Sequence, residues 1–303
     1  IDNRYELDLI SDICQALDKK VDVLLRVNPG IETITHEYIK TAKNNSKFGE
    51  SIFSYKIIEI INKIKLNKYI KFHGFHYHLG SQILNEQPFY EGIKTMVKFI
   101  KLVSEKCEQE TNELNLGGGF GVYYTADDVL PDLSVLLKNM IKLVKDEAEK
   151  VGILCPTLMI EPGRAIVANA GTTLYTVGGI KKTLAGNYYV FVDGSMNDNM
   201  RTALYQAKYE AKLANKMNDT EKINFTVTGR CCESGDIIVR DVLLPLPFVG
   251  DVVAVFTTGA YNYSMSGNYN RICRPAVVFA NKGQARCIVK RETYDDLIRN
   301  DLI

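Results

Sequence analysis

Apolar positions in the first half of the chain follow two alternating rhythms. Dense runs such as VDVLLRV (21–27), IKFHGFHYHLG (70–80), ELNLGGGFG (113–121) and TLMIEPGR (157–164) read as strands. Each runs into a polar or glycine-rich loop, the first at Asn28-Pro29-Gly30. Between them the spacing turns helical, at about 51–65 (Ile52, Ile57, Ile58, Ile60, Ile61 and Ile64), about 87–106 and about 132–150. Such alternation predicts parallel strands joined by crossover helices. About eight strands are needed to close a barrel, and four strand–helix units are visible here. The expected fold class is therefore α/β, with residues 1–165 forming the C-terminal half of a (β/α)8 barrel, or else an open sheet.

Beyond Arg164 the strands crowd together with few helices between them: 171–182, 188–194, 223–229, 236–244, 251–257, 275–280 and 285–290. This spacing predicts a mostly antiparallel, sandwich- or barrel-like β domain over 166–303. There is no internal repeat and no flexible linker.

Composition narrows the class of function. Hydrophobic residues at 46% and charged residues at 24% describe a globular, soluble chain long enough for a sizeable core. A net charge of +1 gives no electrostatic reason to expect nucleic acid or an anionic membrane as partner. No apolar run approaches the length of a bilayer span. The seven cysteines lack metal-ligand spacing and fit reduced thiols in the cytoplasm. The first residue is Ile1 rather than methionine, so further sequence is expected upstream.

Four segments could carry chemistry. The glycines at 117–119 and 121 are either a tight strand–helix turn or a cradle that lets backbone amides approach an anion. In Glu161-Pro162-Gly163-Arg164 the two charges could pair with each other, or serve a ligand at a barrel mouth. His76 and His78 share a strand face. A metal would need a third ligand that is not evident, so no metal is expected, and an imidazole beside a flat cofactor ring or within the core remains. Cys231-Cys232-Glu233 offers a thiol next to a carboxylate, which suits either a proton donor or a structural thiol.

Taken in order, these segments resemble the diaminopimelate decarboxylase family of alanine-racemase-fold decarboxylases. The resemblance rests on Arg26-Val27-Asn28-Pro29-Gly30, Thr35-His36, Ser46-Lys47-Phe48-Gly49, Gly74-Phe75-His76-Tyr77-His78-Leu79-Gly80-Ser81-Gln82, the Gly117–Gly121 loop and Glu161–Arg164. It continues through Val192-Asp193-Gly194-Ser195-Met196-Asn197-Asp198, Arg201 with Ala203-Leu204-Tyr205, Cys232–Asp236, Gly259-Ala260-Tyr261 and Asn268-Tyr269-Asn270.

The resemblance implies pyridoxal 5'-phosphate at the barrel mouth. Gly118, Gly119 and Ser81 would hold its phosphate, with Gly163, Arg164 and Tyr261 assisting. His78 would stack on the ring and Glu161 would bond the pyridine nitrogen. Arg201, Tyr205 and Arg164, with Tyr261, would take the distal carboxylate of diaminopimelate, and Glu233 its distal ammonium. Cys232, supplied by the second subunit of a homodimer with shared active sites, would be the proton donor, and Lys47 could pair with Asp236 across that interface. The family's cofactor-anchoring lysine is expected upstream of Ile1, so this chain alone is expected to be inactive; Lys208 lies in the wrong context to replace it. Two alternatives stand: a related decarboxylase of another basic amino acid or of carboxynorspermidine, and a truncated, non-catalytic homologue.

Overall fold

The computed structural model describes residues 1–31 and 46–302, so Thr35 and His36 lie outside the described residues. Two compact units emerge: residues 1–122 with 129–165, and residues 123–128 with 166–303. The second unit thus includes a six-residue stretch that the chain supplies between two elements of the first.

The first unit is a five-stranded parallel sheet with helices packed on it. Its strands are β1 (Val21–Asn28), β2 (Glu50–Ser51), β3 (Ile70–His76), β4 (Glu113–Asn115) and β5 (Thr157–Met159), in the order β2-β1-β3-β4-β5. The helices are α1 (Arg4–Leu17), α2 (Lys56–Leu66), α3 (Gln87–Cys107) and α4 (Leu133–Val151). The four predicted strands and three predicted helices are present; the two-residue β2 and the helix α1 are additions. Alternation along β1 separates two environments. Leu25 and Val27 are buried in the core, Asp22, Leu24 and Arg26 line an open cleft of about 590 Å³, and Val23 belongs to the core while also reaching that cleft. The core gathers Leu25, Ile57, Ile61, Phe75, Met96 and Val144, all at most 2% exposed. Phe75 packs edge-on against Phe72 and Phe99, with ring centroids 5.2 and 5.1 Å away. The sheet is therefore fixed from its helical side, and the C-terminal ends of β3, β4 and β5 are free to carry polar loops.

A short helix, α5 (Gly163–Val167), leads on from β5. The second unit holds β6 (Thr172–Lys182), β7 (Tyr188–Val192), α6 (Arg201–Tyr205), β8 (Ala211–Leu213), β9 (Ile223–Thr228), β10 (Ile237–Leu244), β11 (Val252–Phe256), β12 (Val277–Asn281), β13 (Gln284–Val289) and α7 (Tyr294–Ile298). Six strands form one sheet in the order β10-β9-β7-β6-β11-β8, and β12 pairs with β13 in a separate hairpin. All of these pairings are antiparallel except β7 with β9. Val177, Val190, Phe225, Val227, Leu244 and Val253 are among its most buried strand residues, at most 1% exposed. Among the described residues, no helix is long and apolar enough to cross a membrane.

Candidate active site

In the first unit, three strand ends bring the predicted residues together. The loop after β3 carries His78 and Ser81, the loop after β4 carries the glycine run, and the loop after β5 carries Glu161 and Arg164. Gly118 donates its backbone N–H to Nδ1 of His78 at 3.1 Å. Arg164 Nη2 donates to Ser81 Oγ at 2.9 Å. Glu161 Oε1 accepts a hydrogen bond from Asn115 Nδ2 at 2.8 Å, and Asn115 Oδ1 accepts the N–H of Gly117 at 2.9 Å. One asparagine thus ties the carboxylate to the glycine loop. Gly163 donates to the carbonyl of Glu161 at 2.9 Å, which closes the turn.

The glycine run packs too tightly for side chains. A Cβ on Gly118 would sit 2.2 Å from the carbonyl oxygen of Glu161, and one on Gly119 would sit 2.2 Å from that of Gly80. Gly119 also has a φ of +93°, which side-chain-bearing residues avoid. The neighbouring loops are stitched together by Ile83 N–H to Gly119 O at 2.9 Å. The Gln82 amide donates to Val122 O at 2.6 Å and accepts from Val122 N at 3.2 Å, standing in for a strand partner.

The electrostatics favour neutral imidazoles beside a carboxylate. Burial, with Arg26 and His76 nearby, lowers the pKa of His78 to about 4. Burial also holds His76 below the usual histidine range, and Glu161, whose Oε1 lies 3.5 Å from His76 Nε2, offsets part of that. The Glu161 side chain is 55% exposed and so remains accessible to a ligand.

The second unit carries the remaining predicted residues in two groups. Arg201, 4% exposed, donates from Nη1 to Tyr209 Oη at 2.6 Å. Its guanidinium lies over the rings of Tyr124 at 4.9 Å and Tyr209 at 5.7 Å. Tyr209 in turn donates to Asn262 Oδ1 at 3.4 Å, one residue after Tyr261. Tyr205, at the end of α6, is half-buried, and Tyr261 is 44% exposed with a φ of +63°, an uncommon setting for a bulky side chain. The second group is the Cys231–Asp236 loop. Cys232 is exposed, and Glu233 Oε1 accepts from the hydroxyl of Tyr269. Asp236 is 2% exposed, and its oxygens accept the N–H groups of Met196 at 2.7 Å and Cys231 at 2.6 Å. That burial makes Asp236 an internal tie for the loop.

Comparison with known proteins decides the family. The pattern described as "Pyridoxal-dependent decarboxylase, pyridoxal binding domain" matches residues 1–168. A protein from Bacillus subtilis named diaminopimelate decarboxylase is 44% identical over 302 residues, covering 100% of this chain and 69% of that one. The chain belongs to the diaminopimelate decarboxylases. Another family member, from Staphylococcus aureus, is 43% identical over 99% of this chain and 70% of its own. Among solved structures, the diaminopimelate decarboxylase of M. jannaschii in complex with L-lysine is 35% identical. Its TM-score is 0.92, over 100% of this chain and 68% of that one. A lysine/ornithine decarboxylase from Vibrio vulnificus is more distant, at 25% identity and a TM-score of 0.69 over 89% of this chain and 66% of its own.

The cofactor of a diaminopimelate decarboxylase is pyridoxal phosphate, and the residues present fit it. A loop without side chains offers backbone to a phosphate, an arginine–serine pair adjoins it, and an accessible carboxylate is held in place for a ring nitrogen. Sequence reasoning did not single out three residues that hold the predicted ones in place. Asn115 opens the glycine run and orients Glu161, Gln82 follows Ser81 and locks its loop, and Tyr209 holds Arg201. Gln82 and Asn115 lie within quoted segments without a role assigned to them, and Tyr209 lies just beyond one.

Proposed function

We propose that the protein decarboxylates meso-2,6-diaminopimelate to L-lysine and CO2, the last step of lysine biosynthesis, with pyridoxal phosphate bound at the C-terminal ends of β3, β4 and β5. The observation that carries this reading is the Glu161 carboxylate, accessible yet fixed by Asn115 beside the glycine cradle. Bound there, the cofactor supplies an electron sink for the electron pair left behind as CO2 departs. Glu161 keeps a proton on the pyridine nitrogen. His78, held neutral by burial, would stack on the ring without adding a competing positive charge. The amide of Gly119, Ser81, Arg164 and Tyr261 bind the phosphate dianion. Gly118 contributes space, since its amide is engaged by His78.

Substrate recognition falls to Arg164 and to residues of the second unit. Arg201, with Tyr205 and Arg164, takes the distal carboxylate, and Glu233 takes the distal ammonium. Cys232 delivers a proton from Sγ to the substrate carbon that has lost its carboxylate. We infer a homodimer in which Cys232 serves the partner's site; its exposure on a loop pinned by Asp236 supports this. Seven unpaired cysteines support a reducing, cytoplasmic compartment.

Steady-state CO2 release by the holoenzyme tests the reading. The expected result is turnover of meso-diaminopimelate at least a hundredfold more efficient than that of L-lysine or L-ornithine. Glu161→Gln should lower kcat by about 10²–10³, the scale for losing a preorganised electrostatic group, while cofactor stoichiometry is kept. Equal turnover of L-ornithine would favour the activity named for the Vibrio vulnificus relative instead.

A further inference from the structure

Arg201 presents an unusual combination. It is 4% exposed, and among the described residues it has no carboxylate partner. A buried cation is ordinarily paired, because an unpaired one forfeits its hydration without return. Here the compensation comes from uncharged groups. Tyr209 Oη accepts one N–H at 2.6 Å, and the faces of Tyr124 and Tyr209 meet the guanidinium at 4.9 and 5.7 Å. The two rings pack edge-to-face at 5.2 Å, so neither can swing away without disturbing the other.

Both tyrosines are themselves held. Tyr209 passes its own proton to Asn262 Oδ1 at 3.4 Å, so its oxygen lone pair is turned towards Arg201. Tyr124 belongs to the 123–128 stretch, which packs with the second unit. Asp128 Oδ2 accepts the N–H groups of Tyr124 at 2.8 Å and Thr125 at 2.9 Å. Glu210 Oε1 accepts the N–H of Ala126 at 2.7 Å, and Thr257 Oγ1 donates to Tyr123 O at 3.2 Å. Four hydrogen bonds thus fix a short loop around one aromatic ring.

We propose that Tyr209 and Tyr124 are positioning residues that clamp Arg201 without neutralising it, and so set selectivity for a substrate with a second carboxylate. A carboxylate partner would orient Arg201 equally well but would cancel the charge it offers. A phenol and two aromatic faces orient it while leaving the full charge and the remaining donors of the fork to the ligand. This inference rests on the assignment of Arg201 to the distal carboxylate.

The experiment uses the holoenzyme with meso-diaminopimelate and compares Tyr209→Phe, Tyr124→Leu, Tyr124→Phe and Arg201→Ala. Tyr209→Phe keeps the ring and loses the acceptor; KM should rise about tenfold with kcat within twofold, the mark of lost ground-state binding. Tyr124→Leu should do the same, and Tyr124→Phe, which keeps the aromatic face, should stay within twofold of wild type. If Tyr209→Phe does not fold, the Leu-against-Phe contrast at Tyr124 decides. Unchanged KM in both Tyr209→Phe and Tyr124→Leu, with KM raised in Arg201→Ala, overturns the clamp and leaves the Arg201 assignment intact. So does a fall in kcat at constant KM in the tyrosine variants. Unchanged KM in Arg201→Ala overturns the assignment itself.

Discussion

Gly118 and His78 meet through a single hydrogen bond, from the glycine amide to Nδ1 at 3.1 Å. The bond joins the loop after β4 to the loop after β3, and it needs an unprotonated Nδ1. That fixes the imidazole as the neutral tautomer with its proton on Nε2. Burial acts in the same direction and lowers the pKa of His78 to about 4. Backbone geometry and desolvation therefore agree on one protonation state, and a protonated His78 would cost the glycine loop its anchor.

The pH dependence follows from that agreement. The folded pKa of about 4 lies below the unfolded value near 6.5, so the unfolded chain binds more protons between them. Stability from His78 is complete above about pH 6.5 and is lost as pH falls towards 4, with a total on the order of 3 kcal/mol. NMR of the imidazole should show no titration of His78 between pH 8 and 5. A midpoint near 6.5 would refute the neutral anchor.

Gly118→Ala should be damaging out of proportion to one methyl group. The new Cβ would lie 2.2 Å from the Glu161 carbonyl oxygen, a backbone atom that cannot rotate away. Overpacking of this kind costs about 1–3 kcal/mol, and here it also pushes apart the loops that carry His78 and Glu161. Chemical denaturation should report the loss of stability, and titration with pyridoxal phosphate should report at least a tenfold weaker site. An alanine variant with wild-type cofactor affinity would mean that the cradle plays no part in binding.

The sequence made the strand–loop–helix order and the ligand-bearing loops readable because both rest on local signals. Alternation in VDVLLRV marks Leu25 and Val27 for the core and Asp22, Leu24 and Arg26 for the cleft, and Gly-Gly-Gly after a strand marks a tight turn or a close backbone approach. Long-range partners were not readable. Asn115 binds a carboxylate 46 residues away, and nothing in its own neighbourhood announces it. Tyr124 precedes α4 in sequence yet packs with the second unit, so its pairing with Arg201, 77 positions on, has no local trace. The helix α1 is a different case. Asn3 caps it by accepting the Glu6 N–H at 3.1 Å, and only Leu7 and Cys14 are buried on it, so its apolar stripe is short.

The shared-site dimer predicts complementation. Cys232→Ala and Glu161→Gln each remove a group of a different kind, and in a dimer whose Cys232 serves the partner's site the two defects can fall on the same active site. In a random mixture, about a quarter of the sites should then be wild type, by the symmetry of a two-fold interface. The measurement is CO2 release after co-refolding the two variants. Activity no higher than that of the better single variant would place Cys232 in its own chain's site or outside catalysis.

The last prediction concerns a carboxyl group in the second unit that works against pH in the opposite sense to His78. Asp198 lies in the turn after β7, where Tyr175 donates to its Oδ1 at 2.5 Å and Ser195 N–H donates to its Oδ2 at 3.2 Å. Burial raises its pKa to about 6; Asp236 and Asp193 add to the rise, while the bonds from Tyr175 and Ser195 oppose it. The folded value lies above the unfolded value near 3.9, so the folded chain holds the extra proton between them. Stability from this group is therefore complete below about pH 4 and is lost as pH rises through 6, by an amount on the order of 3 kcal/mol. Asp198→Asn removes the titration, so the unfolding free energy of wild type relative to the variant should fall between pH 4 and 6 and stay level on either side. Tyr175→Phe removes the strongest bond opposing the shift and should move the transition to higher pH. Carbon-13 NMR of the Asp198 carboxyl in wild type and in Tyr175→Phe reads both midpoints directly. A wild-type midpoint near 4 would show that water reaches this carboxylate and that its burial has no energetic weight, and an unchanged midpoint in Tyr175→Phe would show that the Tyr175 bond does not oppose the shift.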